Sequence, residues 1–391
     1  MTKKTLAIIG GGASAVLLLA HLSKREGAKN LSVDVYDRAG RFGKGIAYST
    51  VHESHLLNVR AANMSAFQDD KNDFSVWAQT RGFSAADFVP RKTYAAYLKE
   101  KLDATCAVMS VSFIERDILG TKTLEDSVLL SCSDGVSKIY DFAVLASGNV
   151  LPMCPRVEGI VAGYWDDPWN IDMHALLKAE TVALIGTGLT AVDMVLALHE
   201  NGYKGKIVMI SRNGLLPAAH IDPVSIESFI TGSGEFLSPA ALLHKIRKSA
   251  KLNPWHAVID ALRSHTNLIW KQWDAPARNK FQMRLLTYWN VHRHRMAPQI
   301  ANTVQAMLAS NQLKIERHSV VSVASGPVVH CKDGLIQADA VINCLGYRYD
   351  EGRDFHGCLR IGPALFGELF ETTAVPEIRA QAQELAATIL S

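Results

Sequence analysis

The 391-residue chain has only six cysteines, Cys106, Cys132, Cys154, Cys331, Cys344 and Cys358, with no CxxC pair and no zinc-ligand spacing. Isolated cysteines predict buried thiols in a reducing compartment rather than a disulfide framework or a metal site. No apolar run approaches the roughly 18 residues that cross a bilayer, and Ala15–Leu22 is far too short. The opening MTKKTLAII has the charge and apolar character of a secretory leader, but Gly10–Gly12 interrupt it and no cleavage pattern follows. It reads as the first strand of a cytoplasmic protein. Long runs of one charge sign are also missing: 41 Lys and Arg face 38 Asp and Glu, a formal net charge of +3. That balance excludes the broad cationic field of a polyanion binder, so neither nucleic acid nor membrane is expected as a partner.

What the chain does have is apolar content, 48% of its residues, enough for two ordinary cores. TLAIIGGGASAVLLLAHL has the order strand, glycine turn, helix. Gly10 allows the tight turn, and Gly12 lets the backbone approach a pyrophosphate seated on the amides of Ala13 and Ser14 at the helix start. Ala15 takes the third small position. The next strand, LSVDVYDRAG, ends in Asp37 followed by Arg38, where an acidic side chain accepts hydrogen bonds from ribose hydroxyls. The bland alternative makes Asp37 a solvated turn residue.

The same grammar returns in TVALIGTGLTAVDMVLAL, with Gly186, Gly188, Leu189, Thr190 and Ala191 forming turn and helix start. Its following strand, KIVMISRNG, ends in Ser211 and Arg212 instead of a carboxylate. A guanidinium there suits a ribose 2′-phosphate, which favours NADPH over NADH. The alternative is a surface arginine. Two turns with opposite polar partners predict two cofactors: a resident FAD on the first and an exchanging nicotinamide on the second.

Two further strand ends bracket the second turn. KIYDFAVLASGNVLPMCP ends in Ala146-Ser147-Gly148, and ADAVINCLGYRYD in Leu345-Gly346-Tyr347. Small residues there let the chain pass between domains close to a cofactor. The expected class is α/β, with two Rossmann-like dinucleotide-binding domains, the FAD domain discontinuous and the NAD(P)H domain inserted. The expected boundaries are 1–155 and 335–391 for FAD and 156–334 for NAD(P)H, with a helical insertion at about 225–315. In that insertion Asn253-Pro254 predicts a helix start, and Trp255, Val258, Ile259 and Leu262 share one helix face. Thr373 is the expected N-cap of a last helix, whose N-terminus either faces a reduced flavin or only closes the sheet.

The most unusual stretches are GIAYSTVHESHLLNVRAANMSAF (45–67), FVPRKTYAAYL (88–98), SRNGLLPAAH (211–220), YWNVHRHRMAP (288–298) and GELFETTAVPEIR (367–379). Over nearly its whole length the chain resembles bacterial FAD/NAD(P)-binding proteins of the YdhS-like family. These are similar in turn to class B flavin monooxygenases and amine N-hydroxylases, and NCLGYRYD resembles the ATGY motif of those enzymes. The resemblance implies that Gly10, Gly12, Ser14, Ala15 and Asp37 bind the FAD adenosine and pyrophosphate. It places Leu57, Asn58 and Met64 near the isoalloxazine, with Val375, Pro376 and Ile378 beside its far edge. Ser147 departs from the usual Thr, and the FxGxxxH-type fingerprint of ketone oxygenation is missing.

His292-Arg293-His294-Arg295 is the densest polar cluster. Histidines at i and i+2 point to different sides of a helix, so no metal is expected. One histidine serving as acid or base, beside an arginine for an anion, is the functional reading; a structural network is the other. Together these features predict an NADPH-reduced, FAD-dependent oxidoreductase, a monooxygenase using dioxygen and a small nucleophilic substrate such as an amine or sulfide. A reductase serving an organic or metal-bound acceptor, or a non-catalytic flavin sensor, needs the same two sites. The lack of a CxxC pair argues against a flavin–disulfide reductase.

Overall fold

Leu6-Ala7-Ile8-Ile9 is apolar without alternation, as a strand covered on both faces requires, and Leu6, Ala7 and Ile8 are fully buried. In the computed structural model, which describes residues 3–149, 151–222, 224–230, 237–348 and 353–391, this run belongs to β1 (Lys4–Ile9). It is followed by α1 (Ala13–Ser23), β2 (Leu31–Asp37), α2 (Asp73–Gln79), α3 (Arg91–Cys106) and β3 (Ser110–Glu115). An antiparallel meander comes next, β4 (Ile118–Thr123), β5 (Val128–Cys132) and β6 (Ser137–Tyr140), and then β7 (Phe142–Leu145). α1 is apolar all round because it is enclosed: Leu17, Leu18, Leu19 and Leu22 are all buried, each stabilising the fold by about 2 kcal/mol.

The chain then builds a second unit on the same plan. β8 (Tyr164–Trp165), β9 (Thr181–Ile185), α4 (Leu189–Glu200) and β10 (Lys206–Ser211) lead into the helices. These are α5 (Pro239–Ala250), α6 (Trp255–Leu262), α7 (Thr266–Gln272), α8 (Ala275–Arg284), α9 (Leu286–Arg293) and α10 (Pro298–Ala309). β11 (Leu313–Arg317), a meander β12 (Val320–Ala324), β13 (Val328–Cys331) and β14 (Gly334–Gln337), and β15 (Ala340–Asn343) complete it. The chain returns to the first unit with β16 (Leu359–Arg360) and α11 (Val375–Ile389), which packs on α1.

The sheet of the first unit runs β16-β7-β1-β2-β3 and that of the second β8-β15-β9-β10-β11, all neighbours parallel. Each unit therefore sets its glycine-turn strand in the middle of five, as expected for the Rossmann-like class.

The units comprise residues 1–151 with 347–391, and 152–346. The first crossing falls close to the expected 155. The second lies beyond the expected 335, because β14 and β15 belong to the second unit, where β15 pairs with β9. The expected helical insertion is the β10-to-β11 connection, with residues 231–236 outside the described ones. Thr373 is not the cap of α11: Ala374 holds that position, and Pro376 fits the first turn, where no amide is needed. None of the six cysteines is in a disulfide, but Cys106 and Cys154 are exposed rather than buried, one at the end of α3 and the other just past the first crossing. Among the described residues no helix is long and apolar enough to cross a membrane, and no cluster of His, Cys, Asp and Glu has metal-site geometry.

Candidate functional site

The first turn is built around a carbonyl. Gly10 takes φ +109°, its amide donates to Tyr36 O at 2.7 Å, and any Cβ there would collide with the Ala146 carbonyl oxygen. Only glycine fits both demands. Gly12 caps α1 in extended geometry (φ −80°, ψ −164°), and no side chain caps the helix start. The first-turn amides thus offer donors to an anion, reinforced by the helix dipole. Gly12 and Gly45 face each other without side chains: a Cβ on Gly12 would come 3.3 Å from Gly45 Cα. This bare cradle fits a pyrophosphate. Sequence reasoning does not assign Gly45 to the turn, although the unusual stretch at 45–67 begins with it.

Asp37 braces the same turn. Its Oδ2 accepts from the Gly11 amide at 3.1 Å, and Oδ1 from the amides of Ala39 (2.9 Å) and Arg41 (3.2 Å). A carboxylate accepts about four hydrogen bonds, so capacity remains for a ribose hydroxyl. Arg38 beside it is exposed. Ala15, Leu57, Met64, Ala146, Val375 and Ile378 lie in one apolar cluster, so the fold brings together residues far apart in sequence. Asn58, Ser147 and Pro376 are half-buried, and Gly148 takes φ +67°. Gly362 also joins this neighbourhood: at φ +66°, a Cβ there would stand 2.6 Å from Ser14 Oγ.

The second turn repeats the backbone. Gly186 takes φ +125°, donates to Ile210 O at 2.8 Å, and a Cβ would come 2.6 Å from the Cys344 carbonyl oxygen. Gly188 caps α4 at φ −78°, ψ −175°, again with no side-chain cap. Leu189 and Thr190 are half-buried in the first turn, and Ala191 is buried. The Ser211 hydroxyl stands in for the carboxylate, accepting from the Gly214 amide at 3.1 Å and lying 3.0 Å from Thr187 Oγ1. Arg212 is exposed and has no partner among the described residues, while Gly346 is exposed just before the second crossing.

Residues 7–150 match the model of the FAD-NAD(P)-binding family. This stretch is an FAD-NAD(P)-binding domain. The chain is also a homologue of the uncharacterized protein YdhS of Escherichia coli (strain K12), 22% identical over 254 residues. That match covers 55% of this chain and 47% of YdhS, about half of each. The expected YdhS-like resemblance is borne out.

Solved structures share the fold around the FAD-NAD(P)-binding domain. Ornithine hydroxylase PvdA of Pseudomonas aeruginosa superposes with TM-score 0.65 at 14% identity, over 99% of this chain and 98% of that one. Ornithine N-hydroxylase KtzI of Kutzneria sp. 744, with reduced FAD, NADP+ and L-ornithine, gives 0.61 at 13%, over 100% and 99%. Bacillithiol disulfide reductase Bdr of Staphylococcus aureus gives 0.60 at 14%, over 100% and 99%. Oxygenases and a disulfide reductase therefore share this architecture, and the fold does not choose between them.

The candidate histidines lie outside the FAD-NAD(P)-binding segment: His292 is in the last turn of α9 and His294 is its C-cap. His292 stacks on Trp255 with ring centroids 5.0 Å apart and planes at 10°. Burial, then Arg295, pushes its imidazole below the usual histidine range. His294 follows the last turn of α9; burial, then Arg293 and Arg263, pushes it down to about 3. Burial and the neighbouring guanidiniums favour the uncharged ring at both positions, so neither is a resting cation, and His294 resists taking up a proton. Arg295 is a structural residue: buried, it donates Nε to His292 O at 2.7 Å and Nη2 to Asp260 Oδ1 at 2.5 Å. The expected anion-holding arginine of this cluster is therefore not Arg295.

Proposed function

We propose that the chain is an FAD-dependent oxidoreductase reduced by NADPH, and more finely a flavin monooxygenase acting on a small amine or sulfide. The observation that carries this reading is the repeated glycine turn, braced by a carboxylate in one copy and edged by an exposed guanidinium in the other. Gly10, Gly12 and the amides of Ala13, Ser14 and Ala15 would hold the FAD pyrophosphate, with Asp37 on the ribose. Leu57, Met64, Val375 and Ile378 supply the apolar surroundings that exclude water from a ring system. Gly186, Gly188 and the first turn of α4 would take the nicotinamide pyrophosphate, and Arg212 the 2′-phosphate. Bound FAD supplies hydride acceptance and the reaction with dioxygen.

Spectroscopy of the purified chain under anaerobic conditions tests the reading. A flavin band bleached rapidly by NADPH and slowly by NADH is the expected result. Air and an amine or sulfide should then yield oxygenated product with little free peroxide. Anaerobic turnover with an added acceptor, and no oxygenated product, would make the protein a reductase; a flavin that neither nucleotide reduces would make it a sensor.

A further inference from the structure

Helices α5, α6, α8 and α9 pack around a cavity of about 420 Å3, within the roughly 300–1,000 Å3 of small-molecule sites. Its walls are apolar, with Leu242, Ile259 and Phe281 buried around it, and the Trp255–His292 stack forms a flat side. Trp255 remains 41% exposed and Tyr288 54%, a large aromatic surface for a helix bundle to leave open.

The polar groups at this cavity share one bias. Arg247 and Arg284 line it, both exposed and neither paired with an anion among the described residues. The Tyr288 hydroxyl and the His292 ring likewise have no hydrogen-bond partner among them. Among the described residues no Asp or Glu lines the cavity. Residues 237–310 carry eleven Lys and Arg against two carboxylates, Asp260 and Asp274, although the whole chain is nearly balanced. Asp260 is already taken by Arg295, and Asp274 accepts from the Ala277 amide at the start of α8.

We propose that this cavity is a binding site for a small organic carboxylate with an aryl or aryl-alkyl body. The apolar body lies against the Trp255–His292 stack and Phe281, and the carboxylate is gripped by Arg247 and Arg284. Guanidinium groups match a planar carboxylate by paired hydrogen bonds, and flat aromatic walls favour a flat ring. The site uses helices of the second unit alone, so it stands or falls independently of the redox reading.

Calorimetric titration of the full chain with 4-phenylbutyrate and with 4-phenyl-1-butanol tests the assignment, because the pair differs in charge and hardly in shape. The acid should bind one-to-one, at least about tenfold more tightly than the alcohol. The double variant Arg247→Gln/Arg284→Gln should bring the acid down to the affinity of the alcohol, with flavin content and thermal midpoint unchanged. Leu242→Trp, which fills the cavity, should abolish both; if that variant does not fold, the glutamine pair decides. No saturable binding of the acid, equal binding of acid and alcohol, or an undiminished glutamine variant would each overturn the proposal.

Discussion

The two glycine turns have nearly the same backbone and different surroundings. Gly10 and Gly186 take φ of +109° and +125°, and each sits against a carbonyl of the neighbouring strand end, Ala146 in one unit and Cys344 in the other. Around the first turn the structure is closed: Gly45 lies against Gly12, and Asp37 ties down the amides of Gly11, Ala39 and Arg41. Around the second it is open: a Cβ on Gly188 would meet nothing within 4 Å among the described residues, and Arg212 stands in solvent. On the proposed reading the shared backbone makes an anion site in each unit; the neighbours set how firmly the turn is held. On the proposed reading, a braced turn suits a resident cofactor and an open one suits a visitor.

The largest effect should come from attacking what the turns share. Gly10→Ala forces a side chain into positive φ and into the Ala146 carbonyl, a loss of about 3 kcal/mol. Urea unfolding and flavin content should both register it. Gly186→Ala should lower stability similarly while sparing flavin, and flavin loss in both variants would break the comparison. Asp37→Asn comes next, with about 2 kcal/mol lost because charged acceptors of backbone amides are replaced by one neutral oxygen. Ser211→Ala, removing one neutral acceptor in the corresponding place, should cost about 1 kcal/mol. Equal losses in thermal unfolding would deny that the carboxylate is the stronger brace.

Arg212→Ser should raise KM for NADPH about tenfold, leave KM for NADH unchanged and not move the thermal midpoint. A parallel loss for both nucleotides would remove the 2′-phosphate from the account. The smallest change in stability is expected for Gly188→Ala, under about 1 kcal/mol because its φ is ordinary and the space is empty. Its KM for NADPH should still rise, since the methyl would stand where, on the proposed reading, the pyrophosphate approaches. Unaltered kinetics would show that no phosphate comes close to this turn.

Much of the architecture is legible in the sequence because it is local. Strand, turn and helix at 4–23 and 181–200 follow from apolar runs meeting glycines, and the acidic and basic strand ends lie a fixed distance downstream. The brace is legible only as a position. That Asp37 holds three amides depends on how the loop after β2 folds back, which no periodicity encodes. The cap of α11 is misread by one residue when a polar side chain is preferred over the proline that follows. Arg295 shows the same limit, since nothing local marks one arginine of His-Arg-His-Arg as buried against Asp260.

The sequence by itself determined that there are two strand–glycine-turn–helix units, where they begin, and that the polar residues at their following strand ends differ. Turn, strand and helix preferences act over a few residues, so they can be read from a few residues. Tertiary structure decided that Gly45 and Gly362 come up against the first turn, that the chain returns at 346/347, and that four helices pack around an apolar cavity lined by two exposed arginines. Those features arise where distant segments exclude water together, and burial of that kind belongs to the folded chain rather than to any one stretch of it.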